Sequence, residues 1–373
     1  MLRKHLFKTA FSLFALIAAA AAVSAQSPSA TPPLDDDDEP IRIDSRLIVV
    51  PVSVVDANGQ PVTGLTQADF QISEEGRRQQ IESVGSADSV PLDIALLFDV
   101  SASTDAMFRF QQETAVKFLK DVLRAEDRAA IFTIGEKALL VSGLAQAGPA
   151  TESVLAIPVE RAKQPTAFFD SVRAAADYLR ENSQSGRRRV IVVISDGEDN
   201  FSVGVQRAQR TAERRVVDNR PDPDLKRLGQ IIQQAQQTAK VAERQKVLRA
   251  LQDADTVMYA VNPAGSSYRL NQISVFGQEN MQIFADETGG TAFLPNFGPI
   301  DTNDNYLNGN NRRKNTELLE RIFLQLGNEL RAQYLIQYYS DATYPDGKLV
   351  KLSVGLTRPG ARVRARQGYY VRN

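Results

Sequence analysis

Continuous apolar runs alternate with helix-like patterns through the central part of the chain. The runs cover residues 94–98, 130–134, 190–194 and 256–261. Such runs are typical of strands that are covered on both faces in a parallel sheet. Between them, apolar residues recur at helical spacing, most clearly over 105–124 and 168–179. This alternation predicts right-handed crossovers and an α/β fold with a doubly wound, mostly parallel sheet, whose ligand crevice lies at the carboxyl ends of its strands.

The segments on either side of this region have the alternating pattern of antiparallel strands. Residues 46–55 form the clearest strand pattern on the N-terminal side. Three more follow on the C-terminal side, over residues 333–339, 348–356 and 362–370. Each flank is too small to bury a core of its own. We therefore predict that residues 41–90 and 332–373 pack together as one composite β domain, and that the α/β domain of residues 91–331 is inserted between them.

One connection within the α/β domain is much longer than a crossover requires. Residues 205–255 contain two helical patterns, which are interrupted by Arg220-Pro221-Asp222-Pro223. The second pattern has a heptad-like apolar stripe whose later positions are only Ala, so it would form a weak helix–helix interface. Two interpretations stay open: a solvated excursion with one face on the domain, or an arm that binds a partner. Residues 296–315 are predicted to be a polar loop, and 316–331 the last helix of the domain.

The N-terminus has the organisation of an export signal. Three basic residues precede an apolar run over residues 11–23, and small residues then offer a cleavage site after Ala25. We predict a signal peptide over residues 1–25, with a retained membrane anchor as the alternative, and an exported protein of the periplasm or cell surface. Residues 26–40 follow as a disordered linker, whose acidic run Asp35-Asp36-Asp37-Asp38-Glu39 could instead trap divalent cations.

The composition excludes several kinds of chemistry. The 373 residues include no Cys and a single His, His5, which lies in the predicted signal peptide. The mature protein would then have neither thiol nor imidazole. This excludes Cys or His nucleophile–base pairs, Ser-His-Asp triads, zinc sites of the usual kind and haem ligation by His. Any metal must be held by oxygen ligands, which favours Mg²⁺, Ca²⁺ or Mn²⁺.

The charge balance argues against a nucleic-acid partner. Removal of the three basic residues in the predicted signal peptide leaves 41 Lys and Arg against 45 Asp and Glu, a net charge of −4. Such a balance lacks the positive field on which nucleic-acid binding depends. No later stretch has the about 20 consecutive apolar residues that span a bilayer, so we expect no membrane insertion after signal cleavage.

Oxygen-bearing side chains follow two of the predicted buried strands. Asp99-Val100-Ser101-Ala102-Ser103 comes directly after the first strand, and its three alternate side chains can converge on one point of the crevice. Asp196 follows the third strand, at the same edge of the sheet. Between them, Thr166 precedes a helix and offers a hydroxyl. An Asp after a strand is often only a turn former. Carboxylates at two strand ends, together with hydroxyls, nevertheless predict a site for a hard cation.

This constellation resembles the metal-ion-dependent adhesion site of the von Willebrand factor type A family. The matching residues are Asp99, Ser101, Ser103, Thr166 and Asp196. Where the family commonly has Gly-Gly or Gly-Asn before the Thr, this chain has Gln164-Pro165. The resemblance implies a Rossmann-like module that binds Mg²⁺, which Mn²⁺ or Ca²⁺ could replace, and recognises the Asp or Glu carboxylate of a protein partner. Glu198 and Asp199 lie just beyond the expected ligands.

The flanks are similar to those of an exported bacterial subgroup of this family, prominent in acidobacteria. The similar motifs are Gly64-Leu65-Thr66, Asp69-Phe70 and Arg366-Gln367-Gly368-Tyr369-Tyr370. The resemblance extends over residues 41–371, while the insertion of residues 205–255 looks peculiar to this chain. Nothing in the sequence specifies an oligomeric state.

Enzymatic functions fit these residues poorly. A phosphohydrolase of the haloacid dehalogenase type needs a second acid where Ser101 stands. Neither Ser101 nor Ser103 has a His partner or a Ser-x-x-Lys spacing, and the chain lacks a Gly-rich phosphate loop with Lys. We therefore expect no catalytic activity. The alternative from another class is a structural or assembly protein of the cell envelope, which would act through residues 205–255 while the metal site is idle.

Overall fold

The computed structural model of the chain describes residues 46–100, 105–158, 165–219, 225–262, 272–300 and 302–372. The predicted signal peptide, residues 1–25, and the predicted linker, residues 26–40, lie outside these ranges, as do Ser101 and Ser103. In the part of the chain that is described, no helix is both long enough and apolar enough to span a bilayer.

Strands and helices alternate as the sequence pattern predicts, but two helices, over residues 147–155 and 272–288, were not predicted, and the single strand expected over residues 362–370 is two strands in different sheets. The strands are β1 (Arg46–Val55), β2 (Phe70–Glu74), β3 (Arg77–Gln79), β4 (Ile81–Ser86), β5 (Leu92–Asp99), β6 (Arg128–Ile134), β7 (Leu139–Ala145), β8 (Arg188–Ile194), β9 (Thr256–Val261), β10 (Ala292–Phe293), β11 (Tyr334–Ser340), β12 (Leu349–Leu356), β13 (Arg362–Ala365) and β14 (Gly368–Tyr370). The helices are α1 (Asp105–Val122), α2 (Ala147–Leu155), α3 (Phe168–Asn182), α4 (Val203–Asn219), α5 (Leu225–Asp253), α6 (Gln272–Thr288) and α7 (Asn305–Arg331).

A six-stranded sheet forms the centre of the α/β part. Its strand order is β10-β9-β8-β5-β6-β7, and only β7 is antiparallel to its neighbour. All residues of β5 are buried, because helices cover both faces of the sheet. Leu96 and Phe98 pack with α1, α2 and α7 on one face, whereas Ala95 and Leu97 pack with α3, α5 and α6 on the other. The predicted α/β class with a mostly parallel sheet is therefore confirmed.

Two four-stranded antiparallel sheets combine strands from both ends of the described chain. One has the order β13-β1-β11-β4 and the other β14-β12-β2-β3, so that β1 pairs with β11 and β13, and β2 pairs with β12. Their shared core includes Val50, Ile72, Ile336 and Val350. Within it, the buried carboxylate of Glu74 accepts hydrogen bonds from the hydroxyls of Tyr338 at 2.5 Å and Ser340 at 2.7 Å. That these sheets form a separate composite domain around an inserted α/β domain stays a prediction.

A buried arginine joins the antiparallel strands to the amino ends of the parallel strands. Arg188 begins β8, and its guanidinium donates to the carbonyl of Leu330 at 2.8 Å and to the side chain of Gln333. Gln333 in turn donates to the hydroxyls of Ser53 on β1, at 3.0 Å, and Tyr259 on β9, at 3.1 Å. Asp99 and Asp196, two of the predicted site residues, lie at the opposite, carboxyl edge of the central sheet.

The last helix is longer than the sequence pattern predicts. Residues 305–315, which we expected to be loop, form the first three turns of α7. Asp304 caps the helix by accepting hydrogen bonds from the backbone N–H groups of Tyr306 and Leu307. The amide of Asn315 donates to and accepts from the backbone of Gly298, at 2.8 and 2.9 Å. The expectation was wrong because these polar residues hold the preceding loop against a helix instead of forming a loop themselves.

The insertion consists of the antiparallel helices α4 and α5, which pack along each other. Val205 on α4 and Val247 and Leu251 on α5 belong to the core on one face of the central sheet. Farther out, none of the described side chains between Ala212 and Lys240 is buried. We call this outer part of the insertion, residues 213–239, the distal hairpin.

Candidate metal centre

The first and third predicted site loops meet at the carboxyl edge of the central sheet. β5 and β8 are neighbours, with Phe98 opposite Ile194, so that Asp99 and Ser195 end up side by side. The hydroxyl of Ser195 donates a hydrogen bond of 2.6 Å to the carboxylate of Asp99. The same hydroxyl accepts a hydrogen bond of 3.0 Å from the backbone N–H of Gly197. Asp99 is only 9% exposed, so this arrangement holds a carboxylate in a largely dry position.

Asp196 places a second carboxylate close to the first. Burial, followed by the negative charges of Asp99 and Glu198, raises the pKa of Asp196 to about 6, although backbone hydrogen bonds act in the opposite direction. One of those bonds comes from the backbone N–H of Glu198 at 3.0 Å. Two partly desolvated carboxylates that repel each other are the environment in which a bound cation contributes most stabilisation.

A contact between two glycines fixes the loop that carries Asp196. Gly197 has a φ of +75°, which favours glycine, and a Cβ there would lie 2.4 Å from the carbonyl oxygen of Gly277 on α6. A Cβ on Gly277 would in turn lie 2.7 Å from the carbonyl oxygen of Asp196. The backbones of the loop and of α6 are therefore in direct contact. The Gly after Asp196 is required both by backbone conformation and by this close approach.

Thr166, on the middle loop, is held through its backbone and leaves its hydroxyl unused. Its N–H donates to the side-chain oxygen of Asn200 at 2.8 Å, and its carbonyl accepts from the N–H groups of Asn200 and Phe201, both at 3.0 Å. The next residue, Ala167, donates to the carbonyl of Gly135 at 2.7 Å. Thr166 is 4% exposed, and its hydroxyl makes no hydrogen bond to the described residues. Such a hydroxyl is suited to bind a ligand.

Asp199 joins the third loop to α3. Its carboxylate accepts from the backbone N–H of Phe169, in the first turn of α3, at 3.0 Å and from the hydroxyl of Ser202 at 2.5 Å. Burial raises the pKa of Asp199, against the hydrogen bonds from Ser202 and Phe169, which lower it. No motif in the sequence marks this structural role, which engages the carboxylate of Asp199 with Phe169 and Ser202.

A lysine from the insertion lies near the same loop. Lys240 on α5 is 6% exposed. Burial lowers its pKa, while the nearby charges of Asp199 and Glu198 raise it, and burial outweighs them. Sequence reasoning missed Lys240 because it lies 41 positions from Asp199 on a helix with no recognisable motif. The insertion thus places a buried positive charge near the loop that follows β8.

The donors that the structure describes are all oxygens. They are the carboxylates of Asp99 and Asp196 and the hydroxyl of Thr166, which fit a small, hard divalent cation. Among the described residues, no group of three or more Asp, Glu, His or Cys side chains is arranged to hold a metal ion. The predicted ligand set itself has only two carboxylates. Its other two hydroxyls, those of Ser101 and Ser103, lie outside the described residues, so the complete set stays a prediction.

No protein-family model and no curated protein sequence matches the chain. Several solved structures are similar to it over part of its length. An aerotolerance-related membrane protein from Bacteroides fragilis NCTC 9343 is 16% identical, with a TM-score of 0.33, over 61% of this chain and 99% of that one. The conserved hypothetical protein BatB from Bacteroides thetaiotaomicron is 12% identical, with a TM-score of 0.33, over 62% of this chain and 99% of that one.

A mussel protein is also similar. Proximal thread matrix protein 1 of the mussel byssus, in a structure with a zinc-occupied MIDAS motif, is 12% identical, with a TM-score of 0.39. The match covers 69% of this chain and 50% of that protein, so the chain corresponds to about half of the mussel protein. Because all three TM-scores are below 0.5, a functional assignment depends on this chain's own topology and site residues.

Proposed function

We propose that the chain is an exported protein-binding module of the von Willebrand factor A type, and that a divalent metal ion mediates its binding. Asp99, Ser101, Ser103, Thr166 and Asp196 would hold the ion, which is Mg²⁺ in this proposal and replaceable by Mn²⁺ or Ca²⁺. The proposal is carried by one observation above all. The carboxylates of Asp99, which is buried, and Asp196, which is partly buried, lie close together at the ends of adjacent parallel strands.

The chemistry of these residues explains why a partner would be needed. Two carboxylates supply a charge of about −2, which balances a divalent ion, and hydroxyls add neutral donors. Mg²⁺ prefers six oxygen ligands, and the five proposed side chains leave a position open. A bound ion of this kind would attract an Asp or Glu carboxylate from a partner protein. Ser195 orients Asp99, and the contact between Gly197 and Gly277 holds the Asp196 loop in place.

The same residues support a binding function rather than catalysis. The mature chain would have no His or Cys to act as base or nucleophile. The hydroxyl of Ser195, which bonds to Asp99, is already engaged in the two hydrogen bonds described above. We therefore propose a protein partner and no enzymatic activity, no nucleic-acid partner and no membrane insertion of the mature chain.

A second function is favoured by the exposed distal hairpin. A structural or assembly protein of the cell envelope could use this hairpin as its binding surface and leave the metal site idle. The two functions differ in one respect that can be tested, since only the first requires the metal.

The test uses the mature protein to recover a partner from its native envelope in Mg²⁺, followed by elution with EDTA. Thr166→Val is the informative variant, because the hydroxyl it removes makes no hydrogen bond to the described residues and the fold should persist. Thr63→Val, at an exposed position outside the insertion, is the matched control. We expect EDTA to release the partner, and Thr166→Val to weaken its rebinding while the control does not. Binding that survives EDTA would favour the structural function.

A further inference from the structure

Three arginines form a stripe on the exposed face of α4. Arg207, Arg210 and Arg214 have the spacing i, i+3, i+7, which places them on one side of the helix, and all three are exposed. The buried residues Val205 and Ala212 lie on the opposite side, against α5 and the domain. We call Arg207, Arg210 and Arg214 the arginine stripe.

The stripe carries positive charge that forms no ion pair within the described residues. None of the three arginines forms an ion pair within the described residues, and Arg210 only donates to its neighbour Gln206 at 3.2 Å. Residues 203–219 and 225–239 together contain six basic and two acidic residues. The chain from residue 46 onward contains 40 basic and 39 acidic residues, so this charge is a local feature of the insertion.

The stripe begins next to the proposed metal centre. α4 starts at Val203, directly after the loop that contains Asp196 and Asp199. The N–H of Val203 donates to the carboxylate of Asp170 at 2.8 Å, which anchors this end of the helix. With a rise of about 1.5 Å per residue, Arg207 and Arg214 lie about 6 and 16 Å along the helix axis from Val203. A partner bound at the metal centre could therefore reach the stripe.

The distal hairpin is also accessible. It includes Arg214 of the stripe, and none of its described side chains is buried. Gln209 on α4 and Gln236 on α5 are joined by a hydrogen bond of 2.8 Å, which holds the two helices together. The stripe is thus presented on a supported helical surface.

We infer that the arginine stripe is a second contact surface for the acidic protein partner of the metal centre. This inference rests on the proposed function. An arginine stripe alone could bind any polyanion, and we choose an acidic protein because the neighbouring metal centre is proposed to bind a carboxylate. The guanidinium of arginine can form bidentate hydrogen bonds with a carboxylate. Exposed positive charge also accelerates association with acidic surfaces. The metal centre would bind one carboxylate of the partner, and the stripe would bind further acidic residues of the same segment.

The experiment measures binding of fluorescently labelled poly-L-glutamate to the full mature chain by anisotropy, in Mg²⁺ and in EDTA. The stripe variant is Arg207→Gln, Arg210→Gln and Arg214→Gln combined. The control variant combines Arg77→Gln, Arg78→Gln and Lys351→Gln, which removes the same charge from exposed positions of the antiparallel sheets. We expect the stripe variant to bind about tenfold more weakly, with a shallower dependence on salt, while the control binds like the parent.

The possible outcomes separate this inference from the proposed function. Calorimetric titration of Mg²⁺ should give the same result for the stripe variant and the parent, since the stripe lies outside the metal ligands. If the parent binds no Mg²⁺, the proposed function fails. If the parent binds Mg²⁺ and poly-L-glutamate, but the stripe variant binds the polymer equally well, the inference alone is overturned. A stronger, metal-independent affinity for an oligonucleotide or for anionic phospholipid vesicles would overturn the choice of an acidic protein.

Discussion

The hydroxyl of Ser195 donates a hydrogen bond of 2.6 Å to the carboxylate of Asp99. This bond connects the ends of β5 and β8, which carry the first and third loops of the proposed metal centre. Because the same hydroxyl also accepts from the N–H of Gly197, one side chain fixes both the carboxylate of Asp99 and the start of the Asp196 loop. Ser195 is thus a positioning residue for two proposed ligands.

Removal of this hydroxyl should affect both the fold and the metal. Ser195→Ala leaves a buried carboxylate oxygen and a buried N–H with one partner fewer, and we expect a loss of about 1–3 kcal/mol in the free energy of unfolding. Mg²⁺ affinity should fall severalfold, because Asp99 loses its orientation. Urea unfolding and calorimetric titration measure the two effects. Ser89→Ala, at an exposed position, is the control. Unchanged Mg²⁺ affinity in Ser195→Ala would contradict the positioning role.

Asp199 has a structural role, whereas Asp196 in the same loop is a proposed metal ligand. It was expected only to lie beyond the metal ligands, and its contacts with Phe169 and Ser202 add a structural role. Asp199→Ala should therefore lower the free energy of unfolding by about 1–2 kcal/mol, the usual effect of losing a helix cap. The intrinsic affinity of the folded protein for Mg²⁺ should change little. A variant with unaltered stability and lost Mg²⁺ binding would reverse these assignments.

Asp93, at the start of β5, should make the fold sensitive to acid. It is fully buried, and its carboxylate accepts from Arg128 at 2.8 and 3.0 Å and from Arg187 at 2.8 Å. Burial favours the neutral form, but the hydrogen bonds and positive charges of the arginines outweigh it and lower the pKa of Asp93 from 3.8. The stabilisation is therefore present above pH 3.8 and is lost as the pH falls through the lower, folded value.

Asp93→Asn tests this dependence. At neutral pH it should cost about 3 kcal/mol, because two arginines lose a buried partner. The difference in stability between parent and variant should then shrink as the pH falls below about 4. Urea unfolding at a series of pH values measures it. A difference that stays constant down to pH 2 would show that the charge of Asp93 contributes nothing.

The strand pairing leads to a prediction about folding units. β1 pairs with β11 and β13, both from the C-terminal end of the described chain. A fragment of residues 41–88 lacks these partners and should show no cooperative unfolding transition. A fragment of residues 91–331 keeps all strands of the central sheet and should fold alone. Circular dichroism during urea titration tests both, and a cooperative transition in the shorter fragment would contradict the composite β domain.

Most strands and helices could be predicted, because the spacing of apolar residues along the chain indicates which of their faces are buried. The run at 94–98 is buried on both faces in β5, as such runs usually are. The first turns of α7 could not be predicted, because Asn315 and its neighbours are common in loops and their hydrogen bonds to the preceding segment depend on tertiary structure.

In the candidate site, too, some features could be predicted from local sequence and others depend on tertiary structure. Asp99 and Asp196 could be placed at one edge because both follow buried parallel strands. The burial of Lys240 near Asp199 could not be predicted, because it depends on how α5 packs and no local motif marks it. The position of the Thr166 backbone likewise depends on Asn200, whose hydrogen bonds join two loops that are distant in sequence.

The most direct test of the account is calorimetric titration of Mg²⁺, and separately Mn²⁺, into the parent and into Asp99→Ala at low salt. Asp99 supplies half of the negative charge of the proposed ligands, so the variant should bind no Mg²⁺ while still unfolding cooperatively. Asp196→Ala should behave similarly, and Ser101→Ala or Ser103→Ala should weaken binding less, because water can replace a neutral ligand. If Asp99→Ala binds Mg²⁺ as tightly as the parent, the metal centre and the metal-dependent binding function are both wrong.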